Sequence, residues 1–468
     1  MASGGDELTT THPRMARRGR RLIGATAVAL AVGLGASAAI PILDRAPVDE
    51  ATVAAVASPV VLPSEAPVAA PTVAIAATIL PTIPSPPPIV ESATPSATGR
   101  VRTKLARSLE RQRVRLDIPG VSAAIIFPDG TLWTGASGLA DVDAERPVTT
   151  DTAFAFASVT KTFTSALVLA LVEEGKVALD EPAMQYLPAL PGLKLDPTVT
   201  VRQLLDHTSG IHDFFYHPKI DKRLLGAPAT VWNEAEALRH VGLPYFKPGA
   251  GWHYSNTNYV LLGLIAEHVE GVPVEAQVRI RFLEPLGLSE TWSQGAEKPR
   301  SPVAHGYRYL AGVADPKPID LSDGSTNVPF TSVVTAAGAA GAMAGTAEDL
   351  VRWARAIYGG HVLQPATLAA MIGDATQTAT RKPRIPYGLG VQAVAVDGHP
   401  SLGHSGRLLG FRSVVRWFPD SRIGIAVLTN QSRIDPARVA RSLLRVVVPP
   451  ATPAPAPSAA AAKPTPAR

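Results

Sequence analysis

Phe156-Ala157-Ser158-Val159-Thr160-Lys161 runs directly into Thr162 to Glu174, an apolar stretch that reads as a strong helix closed by Gly175. Ser158 and Lys161 are three positions apart at a helix start, so their side chains share one face, and the helix N-terminus adds positive potential there. A hydroxyl is a poor nucleophile unless a neighbouring base takes its proton. A lysine can be that base only where burial or other cations keep it neutral. Taken alone, the pattern is equally that of an N-capping serine with a lysine nearby.

Outward from this stretch the chain reads as a mixture of helix and antiparallel strand. Arg102 to Val114 has the spacing of an amphipathic helix, and Val121 to Phe127 and Thr131 to Trp133 flank Asp129-Gly130, a dipeptide suited to a tight hairpin turn. Residues 211 to 251 are loop-rich, and Asn258 to Val269 reads as a helix ending at Glu270-Gly271. Two apolar runs, Phe411 to Phe418 and Ile423 to Thr429, bracket Pro419-Asp420-Ser421-Arg422 as a second hairpin, followed by a helix from Pro436 to Val446. The expected fold is α+β and two-lobed. Terminal helices would cover an antiparallel sheet made of the first and last strands, beside a mostly helical lobe.

Two later segments change the meaning of Ser158 and Lys161. They are Pro248-Gly249-Ala250-Gly251-Trp252-His253-Tyr254-Ser255-Asn256-Thr257-Asn258-Tyr259 and Leu402-Gly403-His404-Ser405-Gly406-Arg407. Together, in this order, the three resemble the S-x-x-K, Y-x-N and K/H-T/S-G elements of the serine penicillin-recognising hydrolases. The likeness is greatest to the branch of class C β-lactamases, D-alanyl-D-alanine carboxypeptidases and related esterases. Leu204-Leu205-Asp206-His207-Thr208-Ser209-Gly210 is similar to the L-L-x-H-T-S-G segment of that branch, and Phe418-Pro419-Asp420 to its late hairpin.

The resemblance implies roles. Ser158 would attack a carbonyl and Lys161 would share its proton. Tyr254 would act as general base and then general acid, its phenol brought down by Lys161 and His404. Asn256 would bind a substrate oxygen and orient Lys161, while His404, Ser405 and Gly406 would line the substrate edge, with Gly406 allowing close approach. The backbone amides of Ser158 and Arg407 would form an oxyanion hole. The Arg407 side chain reads as a solvated edge charge in preference to a carboxylate anchor. His404 stands where many relatives carry lysine, and neutral imidazole is a weak anchor for a carboxylate. The substrate expected is therefore a small molecule or peptide, such as a D-alanyl peptide derived from peptidoglycan, or an ester. A true β-lactamase and a non-catalytic binding protein using the same groove are the alternatives.

Composition sets the surroundings. Of 44 prolines, 12 lie between Pro41 and Pro95 and 7 between Pro449 and Pro466, which separates a globular stretch, residues 100–448, from a linker at 44–99 and a tail at 449–468. Residues 1–21 are basic, with Arg14, Arg17, Arg18, Arg20 and Arg21, and 22–43 are apolar, fitting either a signal peptide or a transmembrane anchor. Either one places the globular part outside the cytoplasm, on the membrane if the segment is uncleaved. A net charge of +5 with no long basic run in the globular part gives no reason to expect nucleic acid, and the absence of cysteine excludes a thiol nucleophile or disulfide frame. His207, His212, Asp213 and His217 have the wrong spacing for H-E-x-x-H, and Gly338, Gly341 and Gly345 lack a Walker lysine, so no metal or cofactor is expected. A monomer is expected.

Overall fold

The computed structural model describes residues 98–309, 317–373 and 386–450. The readings placed on residues 1–97 and 451–468, the basic segment, signal or anchor, most of the linker and the tail, lie outside the described residues. Among the described residues no helix is long and apolar enough to cross a membrane.

The frame is a seven-stranded sheet, antiparallel throughout. Its strands are β1 (Gly120–Ile126), β2 (Leu132–Asp141), β3 (Arg146–Pro147), β4 (Gln392–Val396), β5 (His399–Leu408), β6 (Phe411–Phe418) and β7 (Ile423–Thr429), in the order β3-β2-β1-β7-β6-β5-β4. First and last strands meet at its centre, where Ala123 pairs with Val427.

Period-two alternation explains the continuous apolar runs, because β1 and β7 bury both faces. Val121, Ala123, Ile125, Ile425 and Val427 pack with Leu105 and Leu109 of α1 (Gly99–Arg115) and with Val439 and Leu443 of a C-terminal helix, Ala437–Val447. Ala124, Ile126, Ala426 and Leu428 face the opposite way, into the larger core. That core holds α2 (Thr160–Glu173), α3 (Asn256–Glu270) and α4 (Ala347–Tyr358), the last lying against the sheet. The C-terminal helix is α5. Phe163, Leu167, Leu169 and Leu171 make α2 apolar around most of its circumference, as a helix in the middle of a lobe must be.

Two features differ from the sequence reading. β2 runs through Asp141, far past Trp133, although Gly135, Ala136, Ser137 and Gly138 look like loop. Small residues are required there because a Cβ on Gly135 would come within 2.6 Å of the Trp133 ring and 3.1 Å of Leu109. A further hairpin, absent from that reading, joins β4 to β5 and turns on Asp397-Gly398, with φ of +50° and +85°, the left-handed pair a two-residue turn needs.

Candidate active site

Ser158 sits in a 3₁₀ turn, Ala157–Val159, that leads into α2. Ala157 is buried and holds φ +50°, a costly conformation for a residue with a Cβ, maintained because the turn is fixed from outside. The Ser413 hydroxyl of β6 donates to the Phe156 carbonyl at 2.6 Å. β5 presses on the same carbonyl: a Cβ on Gly406 would lie 2.2 Å from the Phe156 oxygen and 3.1 Å from the Ala157 Cβ. The third motif thus touches the first by backbone packing.

Lys161 follows one turn later and is fully buried. Its Nζ lies 2.7 Å from Asn256 Oδ1, 2.7 Å from the Ala340 carbonyl and 3.4 Å from Ser158 Oγ. The rings of Tyr254 and Tyr259 stand 5.0 and 5.3 Å away. Burial pushes the Lys161 pKa down to about 7, against the pull of Asp213. Asn256 opens α3, and while its Oδ1 accepts from Lys161 its Nδ2 donates to Asp213 Oδ2 at 2.7 Å.

Tyr254 is brought to the same place, but its proton affinity is the reverse of what the sequence suggests. Burial and the neighbouring Tyr387 raise its pKa well above the usual phenol range, and Ser158 opposes this only in part. The cations expected to lower it do not. His404 is buried, and burial followed by Lys161 lowers its pKa to about 3, so it carries no charge. Its Nδ1 lies 2.7 Å from the Ser405 carbonyl, which can only accept, so the proton is on Nδ1 and Nε2 accepts from the Tyr387 hydroxyl at 2.9 Å. Tyr387 therefore stands between His404 and the aromatic floor, a partner that no motif announced.

Strand alternation sorts the remaining residues. Gly406 and Ser413 share the face turned to Ser158, so Ser405 and Arg407 project from the other face of β5. Ser405 Oγ is 3.3 Å from the Gln392 side-chain amide. Arg407 is half-buried beside Arg412, which together with burial brings its pKa down to about 10 and leaves it charged. The sequence reading has this side chain solvated; it is instead half enclosed.

The four residues weighed as a ligand set disperse. His207 is a turn residue at φ +66°, and it also forms the floor of the site, its ring 4.3 Å from that of Tyr254 and its Nδ1 accepting from the Ser255 amide. His212 stacks on Tyr245 and His217 packs edge-on to His240, whereas Asp213 joins the Lys161 network. Among the described residues Asp141, His305 and Asp320 bring three donor atoms within 4.8 Å of one another. The two His305 ring nitrogens face different carboxylates, Asp320 at 2.8 Å and Asp141 at 3.6 Å. In the Gly338 to Gly345 stretch a Cβ on Gly345 would come within 2.8 Å of the Phe156 ring, and Ala340 supplies its carbonyl to Lys161.

A serine, a buried lysine, an asparagine and a tyrosine so arranged can carry out acyl transfer, and a model of the family described as β-lactamase matches residues 106–448. The chain belongs to the β-lactamase family. Esterase EstB of Burkholderia gladioli is 32% identical over 339 residues, covering 66% of this chain and 84% of the esterase. Penicillin-binding protein 4 of Amycolatopsis lactamdurans is 31% identical, covering 68% and 82%. In three dimensions this β-lactamase-family chain is similar to a D-stereospecific amidohydrolase of Streptomyces (TM-score 0.63, 28% identity, 75% and 99% coverage). It is also similar to the D-amino acid amidase of Ochrobactrum anthropi SV3 (TM-score 0.64, 26% identity, 75% and 99% coverage). The chain is a serine hydrolase of the β-lactamase family, with a mixed fold of antiparallel sheet and helices.

Proposed function

We propose that this hydrolase acts outside the cytoplasm on small esters and on D-amino-acid amides or peptides, through an acyl-enzyme on Ser158. The observation that carries the reading is the hydrogen bonding of Lys161. A neutral amine has two N–H groups and one lone pair, and two acceptors, Asn256 Oδ1 and the Ala340 carbonyl, take the N–H groups at 2.7 Å each. The lone pair is left for the Ser158 hydroxyl, 3.4 Å away. Lys161 takes the hydroxyl proton as Oγ attacks the substrate carbonyl, and the amides of Ser158 and Arg407 receive the developing oxyanion. Tyr254, held as a neutral phenol, gives its proton to the leaving alkoxide or amine and is reprotonated from Lys161. Water then attacks the acyl carbonyl and gives a proton to Lys161, and as the bond from that carbonyl to Ser158 Oγ breaks, the proton passes to Oγ and the acid is released.

The substrate class is supported by two observations. The uncharged Tyr387–His404 pair occupies the place of a fixed cation, which removes an anchor for a β-lactam or peptide carboxylate. The relatives include an esterase, a D-stereospecific amidohydrolase and a D-amino acid amidase. Location outside the cytoplasm is supported by the arginine cluster from Arg14 to Arg21 ahead of the apolar residues 22–43. A C-terminal reporter enzyme that matures only after export tests it, and a signal confined to the cytoplasm would refute it.

Intact mass spectrometry tests the chemistry, using a fluorophosphonate, benzylpenicillin and a Ser158→Ala control. The fluorophosphonate should add to the wild type and not to the variant, and p-nitrophenyl butyrate and D-phenylalanine amide should be turned over. Drug hydrolysed in solution at a rate exceeding that of both would reassign the protein as a β-lactamase. Turnover unchanged in Ser158→Ala would remove the nucleophile assignment.

A further inference from the structure

Asp213 takes no part in the reaction as set out above, yet it is fully buried and one side chain away from Lys161. Its Oδ1 accepts from the Phe215 amide at 3.0 Å, which closes the turn Phe214–Tyr216, and its Oδ2 accepts from Asn256 Nδ2 at 2.7 Å. The loop is tied to α3 a second time, through Thr257 Oγ1, which accepts from the Phe214 amide at 3.0 Å and donates to the His212 carbonyl at 2.7 Å. A carboxamide is almost symmetric in shape, so packing alone does not decide which end faces Lys161. A carboxylate accepts and does not donate, so it selects the NH₂ end for itself.

We propose that Asp213 is a positioning residue for acylation: by holding the Asn256 amide it turns the Asn256 oxygen to Lys161 and keeps the lysine aimed at Ser158. This rests on the Ser158 and Lys161 roles proposed above.

The groups facing Lys161 make the charge on Asp213 matter. Tyr254 and Tyr259 on the α3 side have phenols raised well above their usual range by burial. His207, after the short helix Val201–Leu205, and His404 on β5 are buried and held neutral, His404 with a pKa of about 3. Asp213 is itself pushed up by burial, to about 6, and is ionised above that. An anion there favours the protonated lysine, so its loss makes Lys161 give up its proton at lower pH. If neutral Lys161 is the base, the acid limb of the acylation rate follows that change.

The test is the pH dependence of Ser158 acylation by a fluorophosphonate in the full chain, read by mass spectrometry. Asp213→Asn, Asn256→Ala and the double variant are compared with wild type. Asp213→Asn should acylate about 10- to 100-fold more slowly on the plateau, with the acid limb moved down by about one pH unit. In the Asn256→Ala background the same substitution should change the plateau by less than about threefold, because the residue through which it acts is gone. A wild-type plateau and limb in Asp213→Asn, or its full effect persisting beside Asn256→Ala, would overturn the proposal. Should Asp213→Asn fail to fold by circular dichroism, Asp213→Glu decides: it keeps the charge and misplaces it, so the limb should stay while the plateau falls, and an unchanged plateau would refute the role. A wild type unlabelled at Ser158 would bring down the underlying reading as well, whereas labelling with unresponsive variants would bring down this one alone.

Discussion

Lys161 is the residue on which the chemistry turns, because burial lowers its pKa to about 7 and leaves it able to gain and lose a proton near neutrality. Hydrolysis of an ester by the wild type should therefore rise with pH through an acid limb near 7 as the lysine becomes neutral, and a rate already level at pH 5 would contradict this. Tyr254 makes a different prediction. A phenol that burial keeps protonated cannot be the base and is left the role of proton donor to the leaving group, which p-nitrophenolate does not need and an amine does. Tyr254→Phe should slow D-phenylalanine amide hydrolysis about 10²- to 10⁴-fold and p-nitrophenyl butyrate far less, read as kcat for each. Arg407 projects from the sheet face away from Ser158, so Arg407→Ala should change KM for a carboxylate-bearing peptide and for a neutral ester equally. A selective rise for the peptide would show that its guanidinium reaches the substrate. The motif residues were legible in the sequence since their order and spacing are local properties of the chain. Asp213 and Tyr387 were not, because each acquires its role through a contact with a distant side chain, Asn256 and His404.

Among the elements, β5 governs the geometry of the nucleophile, for its backbone at Gly406 lies against Phe156 and Ala157. Gly406→Val would place carbon where the Phe156 oxygen stands and break the bond from Ser413. It should abolish acylation while costing about 1–3 kcal/mol of stability, checked by fluorophosphonate labelling alongside urea denaturation. Elements with uniform apolar character, β1, β6, β7 and α2, were readable because both faces are buried. β2 and the β4–β5 hairpin were less so: Gly135 serves a close approach to Trp133 and Leu109 and Gly138 one to Pro119 and Arg113, and a run of small residues looks the same in a loop as beneath a helix. α4 has a regular period, but Ala347 to Tyr358 follows directly on an Ala/Gly-rich stretch whose small residues hide where the helix begins.

At the scale of the whole molecule, the sheet separates two cores. Leu443 of α5 belongs to the one shared with α1, on the side away from Ser158. Leu443→Ala should lower stability by about 2–5 kcal/mol in urea titration and leave kcat/KM of the folded protein unchanged. A matching loss of activity would mean that the two cores are not independent. The layered arrangement was legible from the positions of the outer hairpins and helices, but the order of strands within the sheet was set by pairings between distant residues. The same pairings bear on biosynthesis. β1 is made early and its partner β7 last, with α1 and α5 meeting only afterwards through bonds such as Gln112 to Ser442. The sheet therefore cannot close before β7 and α5 have been made. Until then β1 keeps an unpaired edge on its β7 side, apolar on both faces and open to the strands of other chains.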